Sequence, residues 1–177
     1  MTRAKGSAVQ SEIRQSRPFR SKKQEATIAL LRTASVVGRS LARVLEPWAL
    51  SLAQYNALRI IRGAGAAGIA TLAIRERMIE EGTTITRILD KLEQSGYIRR
   101  ERSVPDRRQV MCAVTADGKR LLDKIDPIVD AGDEEVVASL AARDLDRLIA
   151  LLDQIRAANA ERGAPRTMVT KSVTAGS

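Results

Sequence analysis

Apolar residues recur along this chain with a period that switches from helical to strand-like and back again. Between Gln24 and Glu46 the repeat is Leu30, Ala34, Val37, Leu41 and Leu45, one stripe of a long helix that Pro47 stops. Ser51 is placed to cap a second helix with the stripe Leu52, Tyr55, Leu58 and Ile61, which the run GAGAAG at 63–68 ends. No strand precedes that run and no Gly-Lys-Ser/Thr follows it, so it reads as a helix stop and hinge, not a phosphate loop. Two further helical stretches, TLAIRERMI and TTITRILDKLEQSG, lie a few residues apart. YIRRER and RRQVMCAVT then form strand-type segments about Ser-Val-Pro-Asp, predicting a two-stranded hairpin. Helical character returns after Thr115, the expected N-cap, with a kink or interruption expected at Pro127. A last stripe of Leu145, Leu148, Leu152 and Ile155 completes a mostly α chain.

A helical wheel over Thr83–Gly96 places Ile85, Ile88, Leu89 and Leu92 in one sector, facing a core. Thr83, Thr84, Thr86, Arg87, Asp90 and Lys91 occupy the other side. Threonine hydroxyls bond phosphates or base edges, and arginine reaches guanine acceptors in the major groove. The helix N-terminus adds backbone donors and a dipole that favours phosphate. A solvated surface helix would show the same polar face, so the neighbour decides. A basic hairpin begins directly after Gly96, as a winged helix-turn-helix requires, with the wing beside the recognition helix and reaching the adjacent minor groove.

The run IRERMIEEGTTITRILDKLEQSGYIRRERSVPDRRQVMCAVTADGKRLL resembles the multiple-antibiotic-resistance-regulator (MarR) family of winged-helix repressors. Leu-Glu-x-x-Gly-Tyr-Ile (Leu92–Ile98), the wing Asp106-Arg107-Arg108 and the Thr115-x-x-Gly118 helix start carry the resemblance, in order and spacing. It extends over roughly Leu30 to Ile155, with the flanking helices similar in pattern only. The resemblance implies that Thr83, Thr84, Thr86 and Arg87 meet the major groove, with Lys91 on the same face. It further implies that Arg108 enters the minor groove, that Asp106 braces the wing and that Arg107 contacts phosphate. Arg102, by its own place on the outgoing strand, is expected to neutralise phosphate. Glu80-Glu81-Gly82 stands where the family often has Gly-Val-Ser, and two acids there would repel phosphate. The family's effector site lies between the dimerisation helices and the DNA-binding lobe; here Trp48 and Tyr55 are its candidates, or ordinary core.

Charge changes the picture by its location. The chain of 177 residues carries a net +9, yet residues 1–23 hold seven bases and one acid, and residues 162–177 three bases and no acid. Twenty bases and twenty acids remain for residues 24–161, so global charge does not by itself make the folded part a DNA binder. Residues 1–23 read as a flexible basic arm or a solvated terminus, 24–161 as the winged-helix domain with its DNA-binding lobe at about 51–115, and 162–177 as a tail. One cysteine and no histidine exclude a disulfide framework, leave almost nothing to bind zinc and remove Ser-His or Cys-His catalysis. Neither an enzyme nor a cofactor is expected. Cys112 shares one strand face with Val110 and Val114, a small buried hydrophobe more than a redox sensor.

The expectation is a mostly α, winged helix-turn-helix protein with a small hairpin wing and terminal helices that form a dimerisation region. The stripes Leu30–Leu45 and Leu145–Ile155 exceed what a compact lobe needs and call for another surface. The implied function is a ligand-responsive repressor that binds double-stranded DNA as a homodimer, with a possible small-molecule effector. No apolar run suits a membrane span and no signal peptide opens the chain, which points to the cytoplasm. A winged-helix module that binds a protein partner, and nonspecific DNA coating by the tails alone, are the competing readings.

Overall fold

The computed structural model describes residues 8–79, 84–103 and 106–163, with side chains as far as residue 160. The chain divides into two compact units, Met1–Val136 and Val137–Ser177.

In the first unit, α1 (Ala8–Glu12) precedes α2 (Lys22–Leu45). Ser21 caps α2 by accepting from the Gln24 amide at 3.1 Å, and Arg32 of α2 pairs with Glu12 of α1 at 3.1 Å. Part of the segment read as an arm is thus helical: five residues are too few to show a period, and Val9 is buried only by tertiary packing. The α2 stripe is graded, from exposed Leu30 and Ala34 to fully buried Leu45. Pro47 ends it within a 3₁₀ turn, Glu46–Trp48, and Ala49 turns the chain at φ 53°. Helix α3 (Leu52–Gly63) starts in a reciprocal capping box: Ser51 Oγ accepts from Gln54 N, and Gln54 Oε1 from Ser51 N. Its Tyr55, Ala57, Leu58 and Ile61 enter the core.

The glycine run ends α3 as expected, but it then delivers a strand that the pattern did not show. Ile69–Ala70 forms β1, followed by α4 (Thr71–Arg77), α5 (Ile85–Gln94), β2 (Ile98–Arg102) and β3 (Val110–Val114). The expected two-stranded hairpin is therefore an antiparallel sheet of three strands, ordered β1-β3-β2. Two residues carry no alternation to read, and β1 exists only because β3 offers it an edge, with Ile69 opposite Cys112. Gly68 permits this at φ +69°, since a Cβ there would lie 2.7 Å from the Cys112 carbonyl oxygen.

Helix α6 (Ala116–Val137) runs through Pro127 without the interruption that proline suggested. Proline removes one ladder bond, but Leu122, Ile125 and Val129 are buried on both sides of it, and that packing keeps the helix continuous. The second unit is α7 (Ala142–Gly163), of which no described side chain is buried; Leu148, Ile149, Leu151 and Ile155 are exposed.

The motifs that marked the resemblance have a shared physical basis. Helix α5 ends in a Schellman turn, with Gly96 at φ +74°, its amide bonded to the Glu93 carbonyl at 2.8 Å and the Tyr97 amide to that of Leu92 at 2.9 Å. Thr115 Oγ1 donates to the Gly96 carbonyl at 2.7 Å and accepts from the Gly118 amide at 3.1 Å, capping α6. A Cβ on Gly118 would stand 2.2 Å from the Tyr97 carbonyl oxygen and 2.9 Å from Val114 Cγ2. Backbone cannot yield as a flexible side chain does. Gly118→Ala is expected to cost on the order of 2 kcal/mol or more in a urea titration. Lys119→Ala, on an exposed position beside it, should stay within about 0.5 kcal/mol of the parent.

Candidate nucleic-acid interface

Helix α5 is positioned by its apolar stripe. Ile88, Leu89 and Leu92 are buried and Ile85 packs against the core cluster, which leaves Thr86, Arg87 and Lys91 in solvent. The helix begins two residues later than the wheel assumed. Thr84 is its N-cap, exposed and without a side-chain capping bond, so of the three threonines placed in the first turn it is Thr86 that belongs to it. Thr83 and the Glu80-Glu81-Gly82 turn lie outside the described residues.

Concavities lie on either side of α5. A groove of about 390 Å³ is lined by Thr84, Arg87 and Lys91 together with Ser51 and Gln54 at the start of α3. A larger one, about 620 Å³, brings Thr86 together with Arg75 and Glu76 of α4 and with Arg100 and Arg108 of the hairpin. Of the polar face of the helix, Thr86 shares a concave surface with the wing, and Thr84, Arg87 and Lys91 line the other groove.

The wing is braced through its backbone. Asp106 Oδ1 accepts from the Arg108 amide at 3.0 Å and Oδ2 from Gln109 Nε2 at 3.1 Å. The Gln109 amide bonds the Asp106 carbonyl at 2.9 Å, and the Ser103 amide bonds the Gln109 carbonyl at 3.0 Å. Asp106 thus holds Arg108 by its main chain and leaves the guanidinium exposed. Arg107 is exposed too, and Arg102, opposite Val110, ends β2 in solvent. On the other strand face Arg99 pairs with Glu101 at 3.2 Å, both exposed, a contact of little energetic weight.

Arg100 received no role from the sequence, and it has the most elaborate contacts of the hairpin. Glu93 Oε2 accepts from its Nε at 2.9 Å and its Nη2 at 2.6 Å, Glu93 Oε1 from its backbone amide at 3.1 Å, and Asp90 Oδ1 from Nη2 at 2.7 Å. Hydrogen bonding to Arg100 holds the Glu93 carboxyl below its ordinary range, and Glu93 in turn raises the arginine. Asp90, read as part of the reading face, is turned to this pair. The signal was present: acids three apart on α5, and an arginine sharing the inward strand face of Ile98.

Tyr55 is in the core, its hydroxyl donating to Asp126 Oδ1 at 2.7 Å and Arg59 lying 5.7 Å from its ring centre. Burial, followed by the Asp126 bond, drives its phenol far above the ordinary value. Trp48 is half-buried against the same cluster. Among the described residues no cluster of potential metal ligands occurs, and no helix is long and apolar enough to cross a membrane.

A helix pair, a recognition helix flanked by concave surfaces and a braced basic hairpin define a winged-helix DNA-binding fold. The MarR family model matches residues 50–110. The transcriptional regulator HosA of Escherichia coli O157:H7 is 31% identical over 103 residues, which cover 58% of this chain and 75% of HosA. The crystal structure of a MarR transcription factor from Planctomyces limnophilus is similar with a TM-score of 0.60 and 34% identity, covering 77% of this chain and 98% of that one. A variant of E. coli MarR complexed with operator DNA shares the fold, with a TM-score of 0.66 at 24% identity, over 72% of this chain and 90% of its own. The chain belongs to the MarR family and is a winged-helix transcription regulator.

Cys112 is fully buried in β3, its Sγ 3.8 Å from Thr71 Oγ1, and burial pushes the thiol up. Since the thiolate is the nucleophile, alkylation at neutral pH should be at least about tenfold slower in the native protein than in urea. Equal rates would show that the thiol is accessible.

Proposed function

We propose that α5 and the wing read double-stranded DNA together, α5 in the major groove through Thr84, Thr86, Arg87 and Lys91, preceded by Thr83, and Arg108 in the adjacent minor groove. The observation that carries this is the shared concave surface of Thr86 and Arg108, with Arg108 held by its backbone amide and its guanidinium left exposed. Arg102 and Arg107 neutralise phosphates at the edge of that surface, and Asp106 supports the wing. The regulator acts as a repressor in the cytoplasm, without catalytic chemistry. In this reading residues 24–161 form the functional domain, the lobe being residues 51–115, with tails at 1–23 and 162–177. An effector would meet half-buried Trp48 before Tyr55, whose hydroxyl is already engaged.

The division of labour in the wing is testable on a preferred and a scrambled duplex across a salt series. Arg108→Ala should cost about 1–3 kcal/mol on the preferred site and weaken discrimination. Arg102→Ala should weaken both duplexes equally and reduce the salt slope by about 0.9. Wild-type affinity in Arg108→Ala would make the wing a solvated hairpin, and no duplex binding at all would favour a protein partner.

The assembly we propose is a homodimer through the terminal helices, which places recognition helices on half-sites of a pseudo-palindromic operator roughly 34 Å apart. Exposed Leu30, Leu31 and Val36 on α2, and Leu148, Ile149, Leu151 and Ile155 on α7, support it. Light scattering at micromolar concentration should give twice the 19.3 kDa chain mass. The mass of one chain would refute this assembly.

A further inference from the structure

A helix that approaches phosphates should not carry uncompensated acids, yet α5 carries Asp90 and Glu93 three and six residues after Arg87. We propose that Arg100 is the residue that makes α5 fit to meet DNA: it engages both carboxylates, halves their net charge and joins the reading helix to strand β2 of the wing. It rests on the proposed reading of DNA by α5 and goes beyond it, since Arg100 is a positioning residue and makes no DNA contact of its own.

The geometry distinguishes this arginine from its neighbours. Arg102, Arg107 and Arg108 are exposed, whereas the Arg100 side chain is 24% exposed and its Nη2 stands between two carboxylates, 2.7 Å from Asp90 and 2.6 Å from Glu93. Those carboxylates remain partly in solvent, 44% and 39% exposed, so their charge would act on a nearby phosphate if unpaired. The backbone amide of Arg100 is bound to Glu93 as well, which fixes strand β2 to the last turn of α5 at two points of one residue. Opposite Arg100 in the sheet stands Cys112, and Arg100 and Arg108 line the same concavity as Thr86. Helix, brace and wing are thereby contiguous.

Replacing Arg100 by an apolar side chain of similar length would leave two negative charges on the DNA-facing element. Their repulsion of phosphate is long-range in dilute salt and screened over about 10 Å at 0.1 M. The loss should be general to all sequences, and it should shrink as salt rises. A loss caused by misfolding would not shrink.

Four variants, Arg100→Met, the triple Asp90→Asn/Glu93→Gln/Arg100→Met, Arg100→Lys and Arg87→Ala, separate the possibilities when titrated with preferred and scrambled duplexes from low to high salt. Arg100→Met should bind both duplexes roughly fivefold to tenfold more weakly at low salt, with the deficit falling toward twofold at high salt. The triple variant, with the acids removed, should recover most of that loss, and Arg100→Lys should lie between, since one ammonium cannot engage both carboxylates equally. Wild-type binding by Arg100→Met, or a triple variant as weak as Arg100→Met, overturns the inference. Arg87→Ala tests the underlying reading separately: undiminished binding there removes α5 from the interface, and this inference with it. A defective Arg87→Ala beside an unaffected Arg100→Met removes the inference alone.

Discussion

The hydroxyl of Thr115 is a polar joint between the end of α5 and the start of α6. It donates to the carbonyl of Gly96, where α5 ends, and accepts from the amide of Gly118, where α6 begins. The Thr115 amide bonds the Tyr97 carbonyl at 3.0 Å, closing the base of the hairpin between β2 and β3. One residue thus ties the end of the reading helix, both wing strands and the start of α6. The absence of a side chain on Gly118 is part of the same joint, because α6 crosses the Tyr97 carbonyl too closely for a Cβ.

Electrostatics in the lobe follow from which charges are left in solvent, and overall charge says little. Bases and acids balance between residues 24 and 161, yet the acids nearest the reading face are paired with Arg100 while Arg87, Arg107 and Arg108 remain exposed. Exposed pairs such as Arg99–Glu101 do little for stability, and their weight lies in which arginines they leave available.

A second polar joint links α3 to α6. Tyr55, Arg62 and Asp126 meet at the edge of the core, with Arg62 Nη2 2.5 Å from Asp126 Oδ2 and Tyr55 Oη 2.7 Å from Asp126 Oδ1. Asp126 immediately precedes Pro127, in the stretch of α6 where the proline removes a ladder bond. Side-chain contacts to α3 and apolar packing hold the helix where its own ladder is interrupted, and a break read from proline alone does not occur. Tyr55, read as effector lining or ordinary core, is a strut of this joint.

Periodicity alone determined the long helices, because their apolar stripes are long enough to repeat: Leu30–Leu45, Leu52–Ile61 and Ile85–Leu92 all lie on the faces expected. The Thr115 cap was legible as well, since it depends on residues within one turn of each other. What required the tertiary structure was whatever depends on a partner distant in sequence. Strand β1 exists by pairing with β3, some forty residues away. Val9 is buried in a helix too short to announce itself. Asp90 faces Arg100 because a strand returns past it, and the brace expected of Asp106 is made through the backbone amide of Arg108. Local pattern encodes which face of an element is apolar; which charge meets which is decided only when the chain folds back on itself.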